Sequence, residues 1–164
     1  PASDLPTVVL AAEATINATG PNGERQIAAS DLFRDYLETA LEPGELITSI
    51  DLPDLGAWSY GYEKFNRRAE DWAMVGVVAL IKKAGDGSCE DVRIGLTHMS
   101  STPLRATAAE DALRGQALDG ERIAAAAEQA AEGTEPPGDL NATPDYKRHL
   151  ARVLTRRALE AAAA

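Results

Sequence analysis

Residues 61–83 read GYEKFNRRAEDWAMVGVVALIKK. The second half, Trp72 to Ile81, is a continuous apolar run. Its length suits a buried strand and is too short to span a bilayer. The first half sets Lys64, Arg67 and Arg68 beside Glu63, Glu70 and Asp71, among aromatics. Side chains alternate along a strand, so Tyr60, Tyr62, Lys64 and Asn66 share one face, and Glu63, Phe65 and Arg67 the other. Two tyrosines and a lysine on one face suit a planar, electron-rich or anionic ligand. The same residues also make a self-neutralising strand, with Arg67 and Arg68 against Glu70 and Asp71. Composition alone favours the second reading.

Working outward, strands are expected at 59–67, 73–82 and 91–98. Gly85-Asp86-Gly87 turns the chain between the last two and predicts an antiparallel hairpin. Downstream the chain is Ala-rich and helical. Thr107-Ala108-Ala109-Glu110 fits a capping box, with Gly115 as the stop. Asp119 caps a second helix that ends by Gly133. Thr143-Pro144 opens the last helix, with Tyr146, Leu150, Val153 and Leu154 on one face. Upstream, Ala14, Ile16 and Ala18 alternate with Thr15, Asn17 and Thr19, a half-buried strand. Residues 20–23 turn and 25–28 return. Ser30 caps a short helix over 31–37, and 46–52 alternates again after a turn at 42–45. Pro53-Asp54-Leu55-Gly56 divides the chain into 1–55 and 56–164. The expected class is α+β: a partial sheet with a short helix, then a three-stranded antiparallel sheet on a three-helix bundle.

The 164 residues are 45% hydrophobic and only 5% aromatic, so Val, Ile, Leu and Ala must fill the core. Twenty-six acidic against 16 basic residues give a net charge of -10, which opposes nucleic acid and anionic lipid as main partners. An RNA-binding face built on Lys64, Arg67, Arg68, Lys82 and Lys83 fails on that ground. The opening PASDLPTVVLAAEA has no basic region of the signal-peptide kind. One cysteine, Cys89, permits no internal disulfide and no zinc spacing, and is expected to be partly exposed. These features predict a cytoplasmic chain with no membrane span. Nucleotide-binding glycine motifs, metalloprotease motifs and nucleophile elbows are absent. His98 and His149 are expected to be solvated or hydrogen-bonded rather than catalytic. The basic run Lys147 to Arg157 is expected to be a solvated helix face opposite Glu128 and Glu132. No catalytic or metal-binding residue is expected.

Five strings occur in order: SDLPTVVLAAEATI, LEPGELITSIDLP, YEKFNRRAEDWAMVGVVA, DVRIGLTHMSSTPLRA and PDYKRHLARVLTRRALE. Together they resemble the flavin-binding medium subunit of molybdenum hydroxylases, the family of carbon monoxide and xanthine dehydrogenases. The resemblance implies FAD held without covalent attachment. It also implies a small iron–sulfur partner subunit and a large partner carrying the molybdenum cofactor. Electrons would pass from the clusters through FAD to an acceptor. Residues 1–55 would be the later part of the FAD domain, and 56–164 the family's C-terminal domain. The two Gly-rich loops that grip the pyrophosphate in the family lie upstream of an SDL-type string. The resemblance therefore implies that this chain alone binds FAD weakly or not at all.

Three positions carry over. Asp4, in the SDL string, matches a position that contacts FAD. Ile47, in GELITSI, matches an apolar position near the flavin. Lys64, in YEKF, matches a lysine at the isoalloxazine end, with a one-residue ambiguity against Glu63. A slip of one flips the face. Tyr62 is a lesser candidate for the same pocket. The alternative is a subunit-docking or assembly domain with no ligand or catalysis of its own.

Overall fold

The computed structural model describes residues 2–164. The apolar run becomes β7 (Val75–Lys83), the second strand of a four-stranded antiparallel sheet in the order β6-β7-β8-β9. Its neighbours are β6 (Trp58–Phe65) and β8 (Cys89–Thr97), and β9 (Leu104–Arg105) adds a two-residue edge. Odd-numbered residues of β7, Val75, Val77, Ala79 and Ile81, join Val92, Ile94 and Leu96 in the main core. Over that face lie α3 (Thr107–Leu113), α4 (Gly120–Glu128) with a closing 3-10 turn at Gln129–Ala131, and α5 (Pro144–Ala163). Val78 and Leu80 point the other way and pack on Ala11 of α1 (Asp4–Ala11). Burial on both faces is why β7 reads as an unbroken apolar run rather than an alternation.

Close approach sets the layer spacing. A Cβ on Gly61 would overlap the Ala158 carbonyl oxygen of α5 and stand 2.9 Å from its carbonyl carbon, so only glycine lets β6 lie under that helix. Ser59 seals the same seam by donating to the Ala162 carbonyl at 2.5 Å. On the opposite face, a Cβ on Gly95 would stand 2.8 Å from Thr7 Cγ2 and 3.0 Å from the Thr7 carbonyl oxygen. That glycine lets α1 settle on the sheet, where Thr97 donates to the Thr7 hydroxyl at 2.7 Å.

The N-terminal part holds a second sheet, β2-β1-β5, from β1 (Thr15–Gly20), β2 (Gly23–Ala28) and β5 (Leu46–Asp51). Ile16, Ala18 and Ile27 are buried with Leu32, as the alternation predicts. β5 departs from expectation. Ile47 pairs with Ala18 and Ile50 with Ile16, so both lie on the core side, yet every residue of β5 is exposed. The strand is an edge whose apolar side chains overhang a small core.

Three further expectations are corrected. The helix expected at 31–37 is one turn, α2 (Ala29–Leu32). Phe33 leaves it in an extended conformation to pack against two small clusters, and β3 (Phe33–Asp35) pairs with β4 (Glu38–Thr39). The capping box at Thr107 does not form. The helix begins after Ala106 with no side-chain cap, because Glu110 is turned inward to Ile94 and Arg105. On α5, Tyr146 is exposed, and the buried stripe runs through Lys147, Leu150, Ala151, Leu154, Thr155, Ala158, Leu159 and Ala162. The caps expected from Asp119 and Thr143 do form, accepting from the amides of Arg122 and Tyr146.

Candidate functional site

Asp4 occupies the first turn of α1, where a carboxylate complements the exposed amides of a helix start. Because Gly95 and Thr7 seat α1 on the sheet, this turn comes down beside the end of β6. Alternation along β6 turns Gly61 toward α5 and Lys64 toward α1. Lys64 Nζ donates to Asp4 Oδ2 at 2.8 Å across sixty positions of sequence. Glu63 belongs to the opposite strand face. Lys64, not Glu63, is the residue that stands beside Asp4.

Tyr62 shares that face and is 40% exposed. Burial first, then the neighbouring Asp4 carboxylate, raises its phenol well above the usual tyrosine range. Asp4 Oδ1 is buried and, among the described residues, has no hydrogen-bond partner of normal geometry, although the Tyr62 phenol bears on the same carboxylate. A buried acceptor without a donor is costly, about 1–3 kcal/mol. Three of the four expected residues therefore converge on one cluster. Ile47 is carried on the other sheet, on exposed β5, and is 43% accessible.

Sequence reasoning missed a second cluster. Lys147 is fully buried. Its ammonium donates to Asp139 Oδ2 and to the Pro137 carbonyl, each at 2.7 Å, and approaches His98 Nε2 at 3.3 Å. The signal was present: Lys147 falls in phase with Leu150, Ala151, Leu154 and Ala158, where an apolar residue is expected. Only Arg152 of the basic run meets Glu128, at 3.8 Å, which fits the solvated reading for that residue. His98, Asp139 and Pro137 line a cavity of about 730 Å³ with Trp72, Tyr36 and Leu37.

The Lys147 hydrogen bond holds the Asp139 carboxyl down at about 2, against opposing burial. The folded value lies below the ordinary aspartate value near 4. Its stabilising contribution is therefore complete above pH about 4 and is lost as pH falls toward 2. Acid titration of stability should show a shallower loss in Asp139→Asn than in the unmodified chain. Parallel curves would remove Asp139 from the acid transition.

Cys89 is buried, contrary to expectation. Burial and then the Asp91 carboxylate push its thiol up to about 11, which makes it a poor nucleophile. Among the described residues no group of three His, Cys, Asp or Glu side chains is placed to hold a metal ion. No helix among them is long and apolar enough to cross a membrane.

Comparison with known proteins adds the following. Residues 1–55 match the FAD binding domain in molybdopterin dehydrogenase, and residues 60–162 the CO dehydrogenase flavoprotein C-terminal domain. The chain is 36% identical to the carbon monoxide dehydrogenase medium chain of Afipia carboxidovorans, over all of this chain and 57% of that one. It is 32% identical to the glyceraldehyde dehydrogenase medium chain of Sulfolobus acidocaldarius, over 98% of this chain and 57% of that one. Among solved structures, a carbon monoxide dehydrogenase from Hydrogenophaga pseudoflava superposes with a TM-score of 0.93 at 39% identity, covering 99% of this chain and 56% of that chain. The chain thus spans a little over half the length of these relatives.

Proposed function

Because the chain belongs to the family of FAD-binding medium subunits of molybdenum hydroxylases, we propose that it serves as part of an electron-transferring flavoprotein subunit. Residues 1–55 are the later part of its FAD domain and 56–164 its C-terminal domain. Its partners are a small iron–sulfur subunit and a large molybdenum-cofactor subunit, in the cytoplasm. When bound, FAD takes electrons from the clusters and passes them to an acceptor.

The observation that carries this reading is the meeting of Asp4, Tyr62 and Lys64. An unpaired buried acceptor beside an ammonium and a phenol ring fits a polar ring system that presents an N–H or O–H. Asp4 Oδ1 would accept that hydrogen bond. Asp4 Oδ2 holds Lys64 in place, and Lys64 favours negative charge on the ligand. Tyr62 contributes ring surface and excludes water. Ile47 supplies apolar contact from the β5 edge.

The test is Lys64→Met in the flavin-loaded protein. Removing the cation also leaves the Asp4 carboxylate uncompensated, and both changes disfavour the reduced, more negative flavin. The midpoint potential should fall by about 30 mV, the equivalent of about 1.4 kcal/mol on a two-electron couple. Unchanged potential together with unchanged FAD affinity would overturn the role.

A second reading, a docking module without its own ligand, is favoured by the open edge of β5, where Leu46 is 73% exposed. On that reading, charged substitutions at Leu46 and Ile50 block subunit assembly, and the Lys64 variant leaves flavin content untouched.

A further inference from the structure

The buried Lys147 cluster is not needed for the flavin reading, yet its geometry is specific. An ammonium has three N–H donors and no acceptor. Lys147 has three partners on two loops: the Pro137 carbonyl and the Asp139 carboxylate on one, and His98 Nε2 on the other. Since Nζ only donates, His98 Nε2 must be the acceptor and carries no proton. The remaining ring nitrogen, Nδ1, then holds the proton and donates to the Ala73 carbonyl at 3.0 Å. His98 reaches this position with φ at +62°, in the left-handed region that a non-glycine residue rarely adopts.

Ala73 stands directly after Trp72, at the base of the charged loop 66–72. The adjoining Met74 amide closes that loop by donating to the Phe65 carbonyl at 2.8 Å. Trp72, His98, Pro137 and Asp139 all face the large cavity. We propose that Lys147 is a positioning residue: its buried ammonium braces His98 in the Nδ1–H tautomer, and His98 in turn pins Ala73 and the cavity wall that follows from it.

The consequence for the cavity concerns His98. Both of its ring nitrogens are committed inside the wall, so a ligand there meets the histidine as a ring surface and not as a base. Burial, reinforced by the Lys147 charge, lowers the imidazole pKa, which agrees with a neutral ring. The Asp139 carboxylate is likewise engaged, since Oδ1 accepts from the Asn141 and Ala142 amides at 2.7 and 3.0 Å.

The test uses the 164-residue chain itself, without flavin. Nitrogen-15 spectra of the histidine rings at neutral pH should show His98 with a bonded proton on Nδ1 and a bare Nε2. His149, which is stacked on Tyr146 at a 6.4 Å centroid separation, serves as the internal comparison. In Lys147→Met, Nε2 loses its donor, so its resonance should move to that of an unbonded ring nitrogen. Nδ1 keeps its proton toward Ala73, no longer braced from the far side of the ring. Amide exchange at Met74 should accelerate at least tenfold more than at Ile94 in the core. A merely structural lysine would instead lower global stability and speed both amides alike, and that result would overturn the proposal. So would an Nε2–H tautomer in the unmodified chain. The tautomer measurement needs no variant, so a Lys147→Met chain that fails to fold leaves the proposal open to refutation.

Discussion

Gly61→Ala is expected to destabilise the chain by about 3 kcal/mol, at the upper end of what overpacking costs in a well-packed interior. The added methyl has nowhere to go. On one side it meets the Ala158 carbonyl, with the Ala158 Cα only 3.1 Å from the new Cβ position. Those atoms are backbone of a twenty-residue helix and cannot swing aside as a side-chain tip would. Relief requires α5 to lift from β6. That movement would stretch the Ser59 bond to Ala162 and disturb the Leu154 and Ala158 packing in the main core. Urea unfolding should show a lower midpoint with an unchanged slope, the signature of lost stability without a changed unfolded state. A midpoint equal to that of the unmodified chain would mean that β6 and α5 are not in backbone contact. Ser59→Ala, which removes one hydrogen bond and adds no bulk, should cost about 1 kcal/mol.

Glu110→Ala carries the other large effect. Strand β9 ends after two residues, so the Ile94 amide on β8 has no neighbouring strand to donate to. Glu110 Oε1 reaches in from α3 and accepts that amide at 2.7 Å. The same carboxylate binds Arg105 through two contacts, Nε at 2.6 Å and Nη2 at 3.0 Å. Burial by itself would lower the Arg105 guanidinium, but the Glu110 carboxylate and then Glu13 more than offset it, and the net shift is upward. Truncation leaves a buried amide without an acceptor and a largely buried cation with only Glu13 beside it. The expected loss is about 3 kcal/mol, in the range for breaking a buried pair by removing one partner. Glu110→Gln keeps an acceptor for Ile94 and should recover more than half of that loss. Equal losses in the two variants would mean that the charge on Arg105, and not the Ile94 amide, dominates.

Both effects bear on what could be read beforehand. The β7–β8 hairpin was legible because an apolar run, a Gly-Asp-Gly turn and a second apolar alternation are local signals. The N-caps at Asp119 and Thr143 were legible for the same reason: the acceptor and the amide it serves lie three residues apart. The capping box at Thr107 has equally good local chemistry and still failed. Glu110 found partners sixteen residues back at Ile94 and five back at Arg105, and a buried charged pair outweighs an exposed cap. The alternation of 46–52 gave the right strand and the wrong burial. Periodicity reports which side chains share a face, but not whether anything covers that face.

The candidate site divides in the same way. Alternation says that Glu63 and Lys64 oppose one another. It is silent on which of them meets α1, since that depends on the side of the sheet to which the first helix crosses. Gly95 and Thr7 settle that crossing through a contact eighty-eight positions apart in the chain. Lys147 was visible as a lysine in phase with an apolar stripe, but its acceptors lie on two loops whose approach no local pattern encodes.

The sequence by itself determined the β1–β2 and β7–β8 hairpins, the C-terminal helices and the α+β class, because these follow from spacing, turn chemistry and the length of apolar runs; it did not disclose α1, β3, β4 or β9. Tertiary structure decided which carboxylate meets Lys64, why Glu110 abandons its cap, and how a lysine comes to be fully buried. Each of those depends on donors and acceptors brought together across the chain, where the cost of an unpaired buried group selects the partner.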